Sequence, residues 1–121
     1  MEAPASKSVW TTALEPIECP IAHGEGRFVT ANAGVLQDLR DNGQIALTYA
    51  PHDNPNGSEA DIAGICDASG RIFGLMPHPE RYLDWTLHPF WTRLDASVKQ
   101  GPTPGLMMFH NAVKAVQRVH V

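Results

Sequence analysis

The run Met76-Pro77-His78-Pro79-Glu80-Arg81, reached directly from the apolar stretch Arg71-Ile72-Phe73-Gly74-Leu75, constrains this chain more than any other segment. Proline rings fix φ near −65° at positions 77 and 79, and Pro79 biases His78 away from the right-handed helical region. The backbone through His78 is therefore expected to be extended, at the end of a strand. In an extended segment side chains two apart project to the same side, so the Glu80 carboxylate can lie beside the His78 imidazole and set its tautomer and orientation. Such a pair is two thirds of a nucleophile, base and orienter triad. The same spacing also fits a surface turn in which His78, Glu80 and Arg81 form nothing more than an ion pair.

The 121 residues are enough for one ordinary domain with a core and too few for two. Nine Lys and Arg against thirteen Asp and Glu give a net charge of −4, which supplies no basic field for nucleic acid or an anionic membrane surface. No apolar run approaches the roughly 20 residues of a membrane span, and Met1 to Lys7 lack the pattern of a signal peptide. A cytoplasmic protein is the expectation, with small molecules or other proteins as partners. Cys19 and Cys66 are far apart and fit neither a disulfide framework nor a zinc spacing, so both read as free, buried thiols.

Along the chain, the small and polar residues through Ser6 read as a frayed end that builds no core. Val9, Trp10 and Leu14 are compatible with a short strand, and Arg27-Phe28-Val29 with a further extended segment. Asn32 can cap a helix with an apolar stripe of Val35, Leu36 and Leu39, stopped at Asn42-Gly43. A strand is expected within Gln44 to Ala50, then a loop from Pro51 to Ser58. The runs Ala60 to Asp67 and Arg71 to Met76, separated by Ala68-Ser69-Gly70, read as a hairpin leading into the His-Pro-Glu turn. A last helix is expected over Leu106 to Val119, with Met107, Ala112, Val113 and Val116 near helical spacing.

A second tripeptide, His23-Gly24-Glu25, echoes His78-Pro79-Glu80 and invites a common site. Four such ligands could surround a metal on a small β-rich scaffold, although neither tripeptide belongs to a specific zinc motif. A tight turn at Gly24 and Gly26 is the simpler reading of the first. A histidine and carboxylate perform acyl chemistry only with a thiol or hydroxyl to activate. Cys66 lies in the apolar run Ile62-Ala63-Gly64-Ile65, where its thiolate would be desolvated, and Cys19 has no glycine-rich elbow around it. Ser58 follows a proline-rich loop in place of the strand an elbow needs. The chain thus carries a base and its orienter without their nucleophile.

Four segments occur in the order seen in one family: Pro20-Ile21-Ala22-His23-Gly24-Glu25-Gly26-Arg27-Phe28, Asn54-Pro55-Asn56-Gly57-Ser58, Ala63-Gly64-Ile65-Cys66 and Gly74-Leu75-Met76-Pro77-His78-Pro79-Glu80-Arg81. On these motifs the chain resembles the C-terminal half of the glutaminase component of phosphoribosylformylglycinamidine synthases, which are class I glutamine amidotransferases. The resemblance implies an α/β fold: residues 1–121 would form the C-terminal part of a three-layer, flavodoxin-like domain and lack the half with the cysteine elbow. It implies His78 and Glu80 as the triad histidine and glutamate, and places His23 and Glu25 near the active-site cleft or a partner interface, without a chemical role. It implies glutamine as substrate, no metal and no cofactor in this chain. A synthetase subunit or domain would hold ATP and Mg and use the released ammonia for amidine formation in purine biosynthesis, and the missing N-terminal half would be a further partner. A half-domain that only docks on a synthetase, without catalysis, is the main alternative.

Overall fold

The computed structural model describes residues 1–22, 24 and 26–119. Its centre is a three-stranded antiparallel sheet, β1 (Ile45–Thr48), β2 (Ile62–Cys66) and β3 (Phe73–Leu75), in the order β1-β2-β3. The helices α1 (Ala33–Asp41) and α2 (Pro104–Gln117) precede and follow it, giving a small α/β arrangement. The middle strand β2 has neighbours on both sides, which is why its sequence is an almost unbroken apolar run, with Ile62, Ala63 and Cys66 buried. A Cβ on Gly64 would stand 3.0 Å from the Gly74 carbonyl oxygen and from the Phe73 and Leu75 side chains. Glycine at 64 is therefore what lets β3 lie close on β2.

The β2–β3 connection is organised by one carboxylate. Asp67 accepts from the Ser69 hydroxyl at 2.7 Å and from the backbone N–H groups of Ser69, Arg71 and Ile72 at 3.1, 3.0 and 3.0 Å. The Ser69 hydroxyl, then the backbone donors, hold the Asp67 carboxyl down at about 2, against a small opposing effect of desolvation. Gly70 closes the turn at φ 73°, with the Lys7 backbone packed where a side chain would start.

The first residues are part of the structure, contrary to the frayed end expected for them. Glu2 exchanges two backbone hydrogen bonds with Thr48 at 2.8 and 3.0 Å, extending the free edge of β1. Lys7 N–H donates to Gly43 and Val9 N–H to Gly70, and Met1 and Ala3 pack on the core cluster of Ile17, Leu47, Tyr49, Ala63, Tyr82 and Met108. The strand expected around Val9 to Leu14 is instead a turn, with Leu14 N–H bonded to the Thr11 carbonyl and Ala13 at φ 50°. Arg27–Val29 pairs with no strand: Phe28 is held by the loop at Ser58 and Glu59, donating to the Ser58 Oγ at 3.1 Å and accepting from Glu59 N–H at 2.9 Å.

Both helices begin at side-chain caps: Asn32 Oδ1 accepts from Val35 N–H at 3.1 Å, and Thr103 Oγ1 from Leu106 N–H at 3.2 Å. Pro104 sits in the first turn of α2, where its missing N–H costs no bond, so the helix starts two residues before Leu106. The stripe of α1 packs loosely, and none of its residues is fully buried. In α2 the buried residues are Gly105 and Met108, whereas Val113 and Val116 from the expected stripe are exposed. The first turn of α2 presses on the chain that follows β3. A Cβ on Gly105 would stand 2.6 Å from the Pro79 carbonyl oxygen and closer still to that of Tyr82.

Two outcomes are expected. Gly105→Ala must push α2 off this turn and should lower the unfolding free energy by about 1–3 kcal/mol, read from denaturant midpoints; an unchanged midpoint would contradict the close packing. Because the Asp67 carboxyl is depressed in the folded chain, its stabilising effect is present above the ordinary value of 3.8 and is lost as pH falls toward about 2. Asp67→Asn should flatten that part of the pH–stability curve.

Candidate active site

His78 and Glu80 meet as the sequence suggests, though by a different local geometry. His78 has φ −109° and ψ 86°, but Pro79–Arg81 then winds into a single 3-10 turn, with Arg81 N–H on the His78 carbonyl and Tyr82 N–H on that of Pro79. The turn, rather than a straight extended run, carries the carboxylate back to the ring. Glu80 Oε1 lies 2.6 Å from His78 Nδ1. The hydrogen bond from the imidazole is the largest influence on the Glu80 carboxyl and holds it below its usual range. The Glu80 backbone N–H and the charges of His78 and Arg81 act in the same direction, against a weaker opposing effect of desolvation. An ionised carboxylate is acceptor only, so Nδ1 carries a proton, and in the neutral ring Nε2 presents the lone pair.

Three elements fix the turn. His78 N–H donates to the Pro20 carbonyl at 2.8 Å, which ties it to the strap Ile17–Pro20. Behind it, the Thr103 hydroxyl donates to the Tyr82 carbonyl at 2.5 Å, and α2 covers Pro79 and Tyr82. Pro77 is buried and Met76 N–H bonds to Ala63 on β2 at 3.0 Å, so the turn leaves the sheet from a fixed point. His78 faces a cavity of about 250 Å³ lined by Trp10, Phe73, Leu75, Glu80 and Phe109. Trp10 forms its wall, stacked on Phe73 and edge-on to Phe109 at 6.1 Å each, and its indole N–H is held by the Arg71 carbonyl at 2.8 Å. Asn111 of α2 adds bonds to the Trp10 and Thr12 carbonyls. This aromatic wall was not legible as a site, because Trp10, Phe73 and Phe109 come from three distant segments.

Cys19 is close enough to the pair for the Glu80 charge to act on it. Burial first, and that charge second, push its thiol up to about 12, with the N-terminal amino group pulling weakly the other way. Cys66 is buried in β2, and desolvation followed by the Asp67 charge raises it as well. Neither thiol is poised to ionise near neutral pH. A further histidine–carboxylate contact joins His88 Nε2 to Glu18 Oε2 at 3.1 Å. His23 and Glu25 lie outside the described residues. Their neighbours are tied to the Asn54–Ser58 motif, since Asn56 Nδ2 donates to the Gly26 carbonyl at 2.9 Å. Among the described residues no three His, Cys, Asp or Glu side chains converge as a metal site.

Comparison with known proteins assigns the chain to a family. Residues 1–116 match the CobB/CobQ-like glutamine amidotransferase domain, and the chain belongs to that family. Three relatives carry the name phosphoribosylformylglycinamidine synthase subunit PurQ. The Treponema denticola protein is 52% identical over 62% of this chain and 33% of its own length. The Trichormus variabilis protein is 43% identical over 93% of this chain and 45% of its own length, and that of Synechococcus sp. (strain JA-3-3Ab) 52% over 74% and 42%. The chain spans less than half the length of these relatives. The family resemblance carried by the four motifs is borne out.

Replacing His78 by Ala removes the bond that dominates the Glu80 carboxyl, whose pKa should then rise toward the ordinary 4.5, as followed by carboxyl NMR shifts. An unmoved Glu80 pKa would mean that its environment, and not the imidazole, sets it.

Proposed function

We propose that this chain supplies the base and orienting carboxylate of a glutamine amidotransferase, the glutaminase of a phosphoribosylformylglycinamidine synthase. The observation that carries the reading is the 2.6 Å contact of Nδ1 with Glu80, which leaves Nε2 as the basic nitrogen, in a chain whose relatives bear that enzyme's name. The catalytic residues are His78 and Glu80. Cys66 is buried, Cys19 is half-buried and both thiols are raised, which supports a nucleophilic cysteine contributed from outside residues 1–121.

In the reaction, Nε2 of His78 takes the proton of that thiol, and the thiolate attacks the side-chain amide carbon of glutamine. The imidazolium returns its proton to the departing ammonia, leaving a thioester. Water, deprotonated by the same nitrogen, then releases glutamate. Glu80 holds the ring in the Nδ1–H tautomer throughout and offsets the imidazolium charge. Backbone N–H groups for the oxyanion would come from the same outside segment as the thiol.

In the finer reading of the fold, residues 1–121 are the C-terminal part of a three-layer, flavodoxin-like domain. The loosely packed α1 and the exposed Ile72, Val113 and Val116 support it, as apolar surface that further layers would cover. Ammonia would pass to a synthetase partner that binds ATP and Mg, in the cytoplasm, and convert an amide to an amidine. His23 and Glu25, from the family motif, would border the cleft or that partner.

The test is glutamate release from glutamine. The chain alone should give no turnover above background, and adding a polypeptide with the remainder of the domain should restore it. In the restored enzyme His78→Ala should cost roughly 10²–10⁴-fold in turnover without abolishing association. Turnover by the chain alone would reinstate Cys19 or Cys66, and restored turnover insensitive to His78→Ala would reduce the chain to a docking module.

A further inference from the structure

The strap Ile17–Pro20 holds the His78 amide; Ile17 and Cys19 pack on the core, while Glu18 between them is exposed. Ile17 is buried and exchanges backbone hydrogen bonds with Met1 at 2.8 and 3.0 Å. At the other end the Pro20 carbonyl accepts the His78 N–H at 2.8 Å. Between these points the strap borders a cavity of about 240 Å³, lined by Glu18, Cys19, Tyr82, Leu87, His88 and Pro89. Side chains do not fill this space. Among the described residues, the polar link from the strap to the far wall is Glu18 Oε2 to His88 Nε2 at 3.1 Å.

The protonation state of His88 follows from its other nitrogen. Phe90 N–H donates to His88 Nδ1 at 3.1 Å, so Nδ1 is the bare acceptor and Nε2 carries the proton that is donated to Glu18. The ring is only 11% exposed and leans on Tyr82, with centroids 5.8 Å apart. Tyr82 is the residue that closes the Pro79–Arg81 turn and whose carbonyl Thr103 and α2 hold. His88 thus rests on the catalytic turn and reaches across to the strap that grips it.

We infer that His88 is a positioning residue for His78: its Nε2–H, fixed by the Phe90 amide, pins Glu18 and so sets where the Pro20 carbonyl holds the His78 backbone. This inference rests on the proposed role of His78. The Glu18 side chain is 80% exposed, so the bond is too weak to carry the fold, and its effect is local. A small displacement of the strap rotates the imidazole relative to its thiol, and misplacement of that order is costly in catalysis.

Amide hydrogen exchange on the full chain tests the structural half. His88→Ala should speed exchange of the His78 amide roughly tenfold while leaving the amides of β2 protected. His88→Gln, which keeps an N–H donor for Glu18, should restore protection to within about threefold of the unaltered chain. An unchanged His78 amide in His88→Ala overturns the inference. Should that variant fail to fold, imidazole ¹⁵N shifts of the unaltered chain decide: Nε2–H with bare Nδ1 at His88 is required, and the opposite tautomer overturns it. In the enzyme restored with the remainder of the domain, His88→Ala should lower kcat with KM for glutamine unchanged, and an unchanged kcat overturns the positioning role. Absence of turnover in the restored but unaltered enzyme counts against the amidotransferase reading, while hydrogen exchange at His78 still decides independently whether His88 holds the strap.

Discussion

The contact between the backbone of Gly105 and the carbonyls of Pro79 and Tyr82 is the constraint on which the site depends. A one-turn 3-10 helix has few hydrogen bonds of its own and would not hold two side chains at a fixed distance. Here it is gripped from both sides. The first turn of α2, with the Thr103 hydroxyl, closes one face, and the Ile17–Pro20 strap closes the other through the His78 amide. Buried Pro77 and the Met76–Ala63 bond fix the point where the chain leaves β3. Prolines at 77 and 79 restrict the unfolded alternatives, so the packing has fewer conformations to exclude.

Elements whose signals are local were legible in the sequence. The Asn32 cap, the Gly43 stop, the apolar run of β2 and the glycine turn at Gly70 each follow from the few residues that form them. Elements that depend on distant partners were not. Nothing in Met1 to Lys7 signals that Glu2 will pair with Thr48 or that the Lys7 backbone will fill the space beside Gly70. The segment around Trp10 has strand-forming residues, yet it turns, because its bonds go to Gly70, Arg71 and Asn111. For α2, periodicity pointed to Val113 and Val116, while the buried contacts are made by Gly105 and Met108 near its start. The turn it covers has no counterpart in a hydrophobic pattern.

The site divides in the same way. That His78 and Glu80 would meet could be read from two prolines and a spacing of two, although a tight turn and not an extended run brings them together. Trp10, Phe73 and Phe109, which line the cavity His78 faces, and Glu18 with His88, which meet beside the strap, come from separate parts of the chain and carry no shared motif. Cys19 shows why proximity alone does not make a nucleophile: the Glu80 charge that steadies the imidazole pushes this thiol further from ionising.

The mechanism proposed for this chain turns on Glu80 holding the neutral His78 ring with its proton on Nδ1 and its lone pair on Nε2. Imidazole ¹⁵N shifts of His78, measured in the intact chain near neutral pH, test this most directly. They should show a protonated Nδ1 and a bare Nε2, with that preference lost in Glu80→Ala. A His78 ring in the Nε2–H form, or one indifferent to loss of Glu80, would contradict it.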